Sequence, residues 1–87
     1  MASYSLRIKP SAVKEIEAVP KKDRQRIVSR IRALADNPRP VGCEKLAGQD
    51  KYRVRQGRYR IVYSVSDSNL VVLVVKVAHR KEVYRQV

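Results

Sequence analysis

Lys51-Tyr52-Arg53-Val54-Arg55-Gln56-Gly57-Arg58-Tyr59-Arg60-Ile61-Val62-Tyr63-Ser64-Val65 is the stretch whose reading sets the fold. From Lys51 to Gln56, Tyr52 and Val54 alternate with Arg53 and Arg55, the period-2 pattern of a strand with one face buried. Gly57-Arg58 is a tight-turn signal, and Arg60 to Val65 continues as a second strand. Ser66 to Asn69 turns again. Leu70 to Val77 opens with six consecutive Leu or Val residues and reads as a buried strand. Short turns between strands of this length predict antiparallel hairpins.

Towards the N-terminus, Tyr4, Leu6 and Ile8 alternate with Ser5, Arg7 and Lys9, predicting one more half-buried strand that Pro10 stops. Ser11 is the expected N-cap of a short helix from Ala12 to Val19. Pro20 breaks the chain and can open a second helix, from about Lys21 to Ala35. Ile27, Val28, Ile31, Leu34 and Ala35 form its apolar stripe, with Lys22, Arg26, Arg30 and Arg32 assigned to the opposite face. Asn37-Pro38-Arg39-Pro40 ends it, because each proline disfavours helix in the residue before it. The predicted order is β-α-α-β-β-β, with room for a short C-terminal helix from Arg80. A helical hairpin on one face of a four-stranded antiparallel sheet is an α+β fold.

Eighty-seven residues make a single domain, 1–87, with 44% apolar residues for a thin two-layer core. No apolar run reaches the roughly 18 residues of a membrane span, and the N-terminus has no signal-peptide core, so a cytoplasmic protein is expected. Cys43, the sole cysteine, leaves no internal disulfide and no cysteine-based zinc site. One histidine and eight scattered acids argue against a metal cluster, and no cofactor is implied. The formal net charge of +12 is costly in self-repulsion and implies a polyanionic partner, nucleic acid or an acidic protein.

The window Lys51 to Arg60 holds five cations, two tyrosines and no acid. Strand geometry sets Arg53 and Arg55 on one face about 7 Å apart. Like charges so placed repel, and a bound phosphate would remove the repulsion. The hairpin brings Arg60 within reach of the same face. The chain has no Phe or Trp, so Tyr52, Tyr59 and Tyr63 read as core or rim packing rather than base-stacking platforms. A second cluster, His79-Arg80-Lys81-Glu82-Val83-Tyr84, follows the last strand, and helical spacing would put Arg80 and Tyr84 on one face.

Lys45-Leu46-Ala47-Gly48, Tyr52-Arg53-Val54-Arg55, Gly57-Arg58-Tyr59-Arg60-Ile61-Val62-Tyr63, the valine-rich strand and His79 to Tyr84 together resemble the RelE/ParE toxin superfamily over essentially the whole chain. The RelE branch, the nearer likeness, implies a type II toxin of a toxin–antitoxin pair that cleaves mRNA in the ribosomal A site without a metal. In that reaction the 2′-hydroxyl attacks the adjacent phosphate, leaving a 2′,3′-cyclic phosphate and a 5′-hydroxyl. The resemblance makes Arg53 and Arg55 two basic strand positions of the active site and Arg60 its phosphate-binding arginine. It makes Arg80 the general acid or charge stabiliser and Tyr84 the residue that stacks on or orients a base. Lys51, Arg58 and Lys81 are expected substrate-binding cations. A RelB-like, acidic antitoxin is the expected protein partner, beside ribosome and mRNA.

The family often carries lysine where this chain has Arg53, and a guanidinium does not give up its proton below a pH of about 12. His79 is therefore the expected general base. Two other readings fit the same charge: a ParE-like gyrase-poisoning toxin, and a non-catalytic RNA- or DNA-binding module.

Overall fold

The computed structural model describes residues 3–48 and 50–79. Its elements are β1 (Ser5–Ile8), α1 (Pro10–Glu17), α2 (Lys21–Asp36), β2 (Glu44–Lys45), β3 (Lys51–Gln56), β4 (Tyr59–Ser66) and β5 (Val71–His79). The expected α+β class and the strand–helix–helix–strands order hold. The sheet differs from expectation in two details. Among the described residues it has five strands in the order β1-β5-β4-β3-β2, and β1 pairs parallel to β5, Ser5 facing Val71 and Ile8 facing Val74. In a three-strand meander the first and third strands run the same way, and the two-helix crossover gives β1 the length it needs to return parallel on β5's outer edge. The two-residue β2, Glu44 against Arg53 and Lys45 against Tyr52, adds the other edge.

Helix α1 starts two residues earlier than the sequence suggests. Pro10 is its first helical residue and Lys9 its N-cap, with no side-chain cap, so Ser11 lies inside the helix. A proline's fixed φ and missing N–H suit that position. The Lys9 N–H instead joins the sheet, donating to the Val74 carbonyl at 2.9 Å. Proline therefore ends β1 by beginning α1.

The core lies between the helices and one sheet face. Ala12, Ile16, Ile27, Ile31 and Leu34 pack on Val54, Ile61, Tyr63, Val72, Val74 and Val77. Gly57 takes φ 60° at the first central position of the β3–β4 turn, the conformation for which such two-residue turns select glycine. The β4–β5 ladder slips between Val62 and Tyr63, pairing them with Lys76 and Val74. This bulge lets both Val77 and Val74 enter the core although they are three residues apart. Glu15 of α1 seals the spot, accepting from the Val77 N–H at 3.0 Å and pairing with Lys76 Nζ at 3.0 Å. Among the described residues no helix is long and apolar enough to cross a membrane.

Candidate functional site

The β3–β4 register puts Arg55 directly across from Arg60 and Arg53 across from Val62, while Val54 and Ile61 face each other in the core. Residues paired across a ladder share a face and neighbours along a strand do not. Arg53, Arg55 and Arg60 therefore stand together on the sheet face turned away from Val54 and Ile61. They line one cavity of about 280 Å³, completed by Arg30, Gly42 and Glu44.

Four guanidinium groups around one small volume can hold a phosphate through bidentate contacts. Arg60 is the least accessible, only 4% exposed, and its one hydrogen bond within the described residues is a long 3.5 Å contact from Nη1 to the Tyr59 carbonyl. Arg30 Nε is buried without a hydrogen-bond partner. The sequence pattern assigned Arg30 to the solvent face of α2. It stands three residues from Ile27 and four from Leu34, on the flank of the apolar stripe, and the structure turns it to the cavity. That spacing was the available signal.

Glu44 is the acid that sequence reasoning missed. Its Oε2 accepts from Arg53 Nη2 at 2.8 Å. That bond and the charge of Arg53, followed by those of Arg55 and Arg60, hold its carboxyl below the usual range. Glu44 is thus an intramolecular anion at the rim of an arginine-lined hollow.

A chain of contacts positions the segment that carries Gly42 and Glu44. Arg39 binds Asp67 through both carboxylate oxygens at 3.1 and 2.8 Å, donates Nε to the Tyr52 hydroxyl at 3.0 Å and lies 5.1 Å over the Tyr52 ring. Tyr4 adds a hydroxyl bond to Asp67 at 2.7 Å. Bonded by Arg39 and then Tyr4, Asp67 is held down at about 2. Tyr52 stacks on Tyr63, centroids 5.8 Å apart, and the buried Tyr63 hydroxyl donates to the Pro38 carbonyl at 2.6 Å. Burial, and then Cys43 beside it, push the Tyr63 hydroxyl well above its ordinary value. These tyrosines pack, as their sequence context suggested.

The remaining candidates are not all gathered here. His79 pairs with Tyr59, the strand neighbour of Arg60, so it faces the helices. Its ring meets the Tyr59 ring edge-on at 5.7 Å, in a separate hollow lined by Glu15, Ala18 and Val19. Strand alternation thus puts His79, the expected general base, across the sheet from Arg60. Lys51 is half-buried opposite Ser64 and Arg58 is exposed at the hairpin tip, and neither lines the cavity. Arg80, Lys81 and Tyr84, with the C-terminal helix expected from Arg80, lie outside the described residues. Among the described residues no group of His, Cys, Asp and Glu could hold a metal ion.

Residues 6–84 match the family model described as ParE toxin of the type II toxin–antitoxin system, parDE. The chain is similar to Toxin RelG of Mycobacterium tuberculosis, 28% identical over 87 residues, which span 95% of this chain and 98% of that protein. Among solved structures it resembles a free-state mutant of Escherichia coli toxin RelE, with TM-score 0.76 and 31% identity over 95% of this chain and 92% of that one. It also resembles an archaeal RelE–RelB complex from Pyrococcus horikoshii, with TM-score 0.78 and 28% identity over 90% and 96%. The strand order, the arginine hairpin and these likenesses agree: the chain belongs to the ParE toxin family of type II toxin–antitoxin systems, within the RelE/ParE superfamily.

Proposed function

We propose that this toxin is a metal-independent endoribonuclease that cuts mRNA in the ribosomal A site by 2′-hydroxyl attack and so stops translation. The observation that carries the reading is the convergence of Arg53, Arg55 and Arg60, with Arg30, on one cavity. In-line attack needs alignment, stabilisation of charge growing on the phosphate oxygens, and proton handling. Arginines meet the first two needs, and one well-placed arginine can accelerate phosphoryl transfer by roughly 10³–10⁵. Arg53 and Arg55 orient the phosphate and Arg60 binds its non-bridging oxygens. The resemblance assigns Arg80 to charge on the leaving oxygen and Tyr84 to the base.

Proton transfer is the weak step. Arginines are poor bases, and His79 faces the other way. A toxin so equipped is slow on free RNA, and a ribosome that holds the mRNA in the attack geometry supplies the missing rate. Such a protein works in the cytoplasm. Its antitoxin is RelB-like and places an acidic segment against the basic face, in keeping with the RelE–RelB complexes among its structural relatives.

Primer extension on programmed ribosomes tests this. The expected products end in a 5′-hydroxyl, need ribosomes, and vanish with Arg60→Ala. The match to a ParE model favours gyrase poisoning as the second reading. Inhibited supercoiling with intact mRNA would establish that reading and overturn the first.

A further inference from the structure

Helix α2 carries a second cluster of cations that the cavity does not use. Lys21, Lys22, Arg24, Arg26 and Arg32 project from it, and among the described residues none makes a side-chain hydrogen bond or ion pair. Their arrangement opposes helix stability. Lys21, Lys22 and Arg24 crowd the first turn against a single acid, Asp23, where the dipole favours negative charge. The last turn has no cation and ends in Asp36, again the disfavoured sign. Lys22 and Arg26 are like charges four residues apart, a spacing that weakens a helix. Folding alone does not select such a pattern, and a polyanion laid along the helix relieves the cation repulsion.

The chemistry between the cations indicates which polyanion. Gln25 and Ser29 form the outward ridge. Lys22 and Arg26 flank one side of it, and Lys21, Arg24 and Arg32 the other, each flank bordering a shallow hollow. Among the described residues the half-buried Val28 is the one apolar residue lining either hollow, a small anchor for a partner helix or a lipid surface beside the cations around it. Four helical residues rise about 6 Å, of the order of the spacing between successive phosphates. Neutral donors set between cations suit sugar hydroxyls between phosphates, which duplex RNA displays across its wide minor groove.

We infer that the outer face of α2 is a second nucleic-acid surface, which binds the backbone of an RNA duplex independently of the arginine cavity. It gives the toxin a grip on structured RNA while the cavity is free for a single strand. The inference does not depend on cleavage.

The test measures binding of a labelled RNA hairpin duplex to the full chain by fluorescence anisotropy across a salt series. The variant neutralises Lys22, Arg24, Arg26 and Arg32 to Gln. A control neutralises Arg7, Lys9, Lys14 and Lys45, also to Gln, matching the change in net charge. Each lost phosphate contact lowers the log–log salt slope by about 0.7–0.9, so the α2 variant should lose roughly 3 in slope and at least about tenfold in affinity. The control should lose less than about 1 in slope. In an Arg60→Met background the α2 substitutions should still lower the slope by roughly 3, which separates this surface from the cavity and its chemistry. Equal losses in the two neutralised sets, an unchanged α2 variant, or loss confined to anionic vesicles or an acidic peptide would overturn the inference.

Discussion

Replacing Arg60 with Met should abolish toxicity and raise the melting temperature. Arg60 is 4% exposed, lies across from Arg55 and, among the described residues, keeps only a long bond to the Tyr59 carbonyl. Two cations roughly 8 Å apart at an effective dielectric constant near 20 repel by about 2 kcal/mol. Arg55 is exposed and Arg53 is paired with Glu44, so screening and pairing reduce their combined effect on Arg60 to about 1 kcal/mol. Relief of its desolvation adds to this. Methionine keeps an unbranched stem, and little packing is lost. The net expectation is a gain of about 1–2 kcal/mol, or roughly 5–15 °C in Tm for a domain of this size. Inorganic phosphate at 100 times its Kd should stabilise the wild type by about 2.7 kcal/mol and the variant by much less. Circular-dichroism melts with and without phosphate measure both effects. A variant that melts below the wild type, or gains as much from phosphate, would show Arg60 to be a structural anchor and refute the reasoning.

Two further outcomes concern the contacts that hold the cavity's edge. Tyr63→Phe removes the donor to the buried Pro38 carbonyl and should lower unfolding free energy by about 1–3 kcal/mol, read from urea melts. An unchanged midpoint would mean that the carbonyl finds another donor. Asp67, whose ordinary value of 3.8 is lowered to about 2, contributes stability that is full above pH 4 and lost as pH falls through 2. Asp67→Asn should therefore flatten the acid limb between those values, and parallel wild-type and variant curves would contradict the pairing with Arg39.

The β3–β4 hairpin was legible because two signals agreed on it, the alternation about Val54 and the glycine at 57. The stripe of α2 was equally plain. The direction of β1 was not, since alternation of Tyr4, Leu6 and Ile8 is the same whichever way the strand runs. The bulge hides in a run of valines that looks alike on both faces. That bulge lies between Arg60 and His79 along the chain, so parity counted along the sequence cannot tell which side His79 takes. Arg30 was misassigned because a binary division of a helix into core and solvent has no place for its flank. Glu44 sits in a two-residue strand too short to show a period, and only the register with Arg53 reveals its role.

The pairing of β1 with β5 joins the first of the described strands to the last. Valines 72, 74 and 77 of β5 are also what α1 and α2 pack against. Closing such a long loop is entropically costly and has to precede most of the contacts that reward it, so folding waits until β5 has been made. A chain released early, ending in the β4–β5 turn, has its helices' apolar faces uncovered and its N-terminal strand unpaired. Premature termination thus yields a substrate for proteases rather than a weakened toxin.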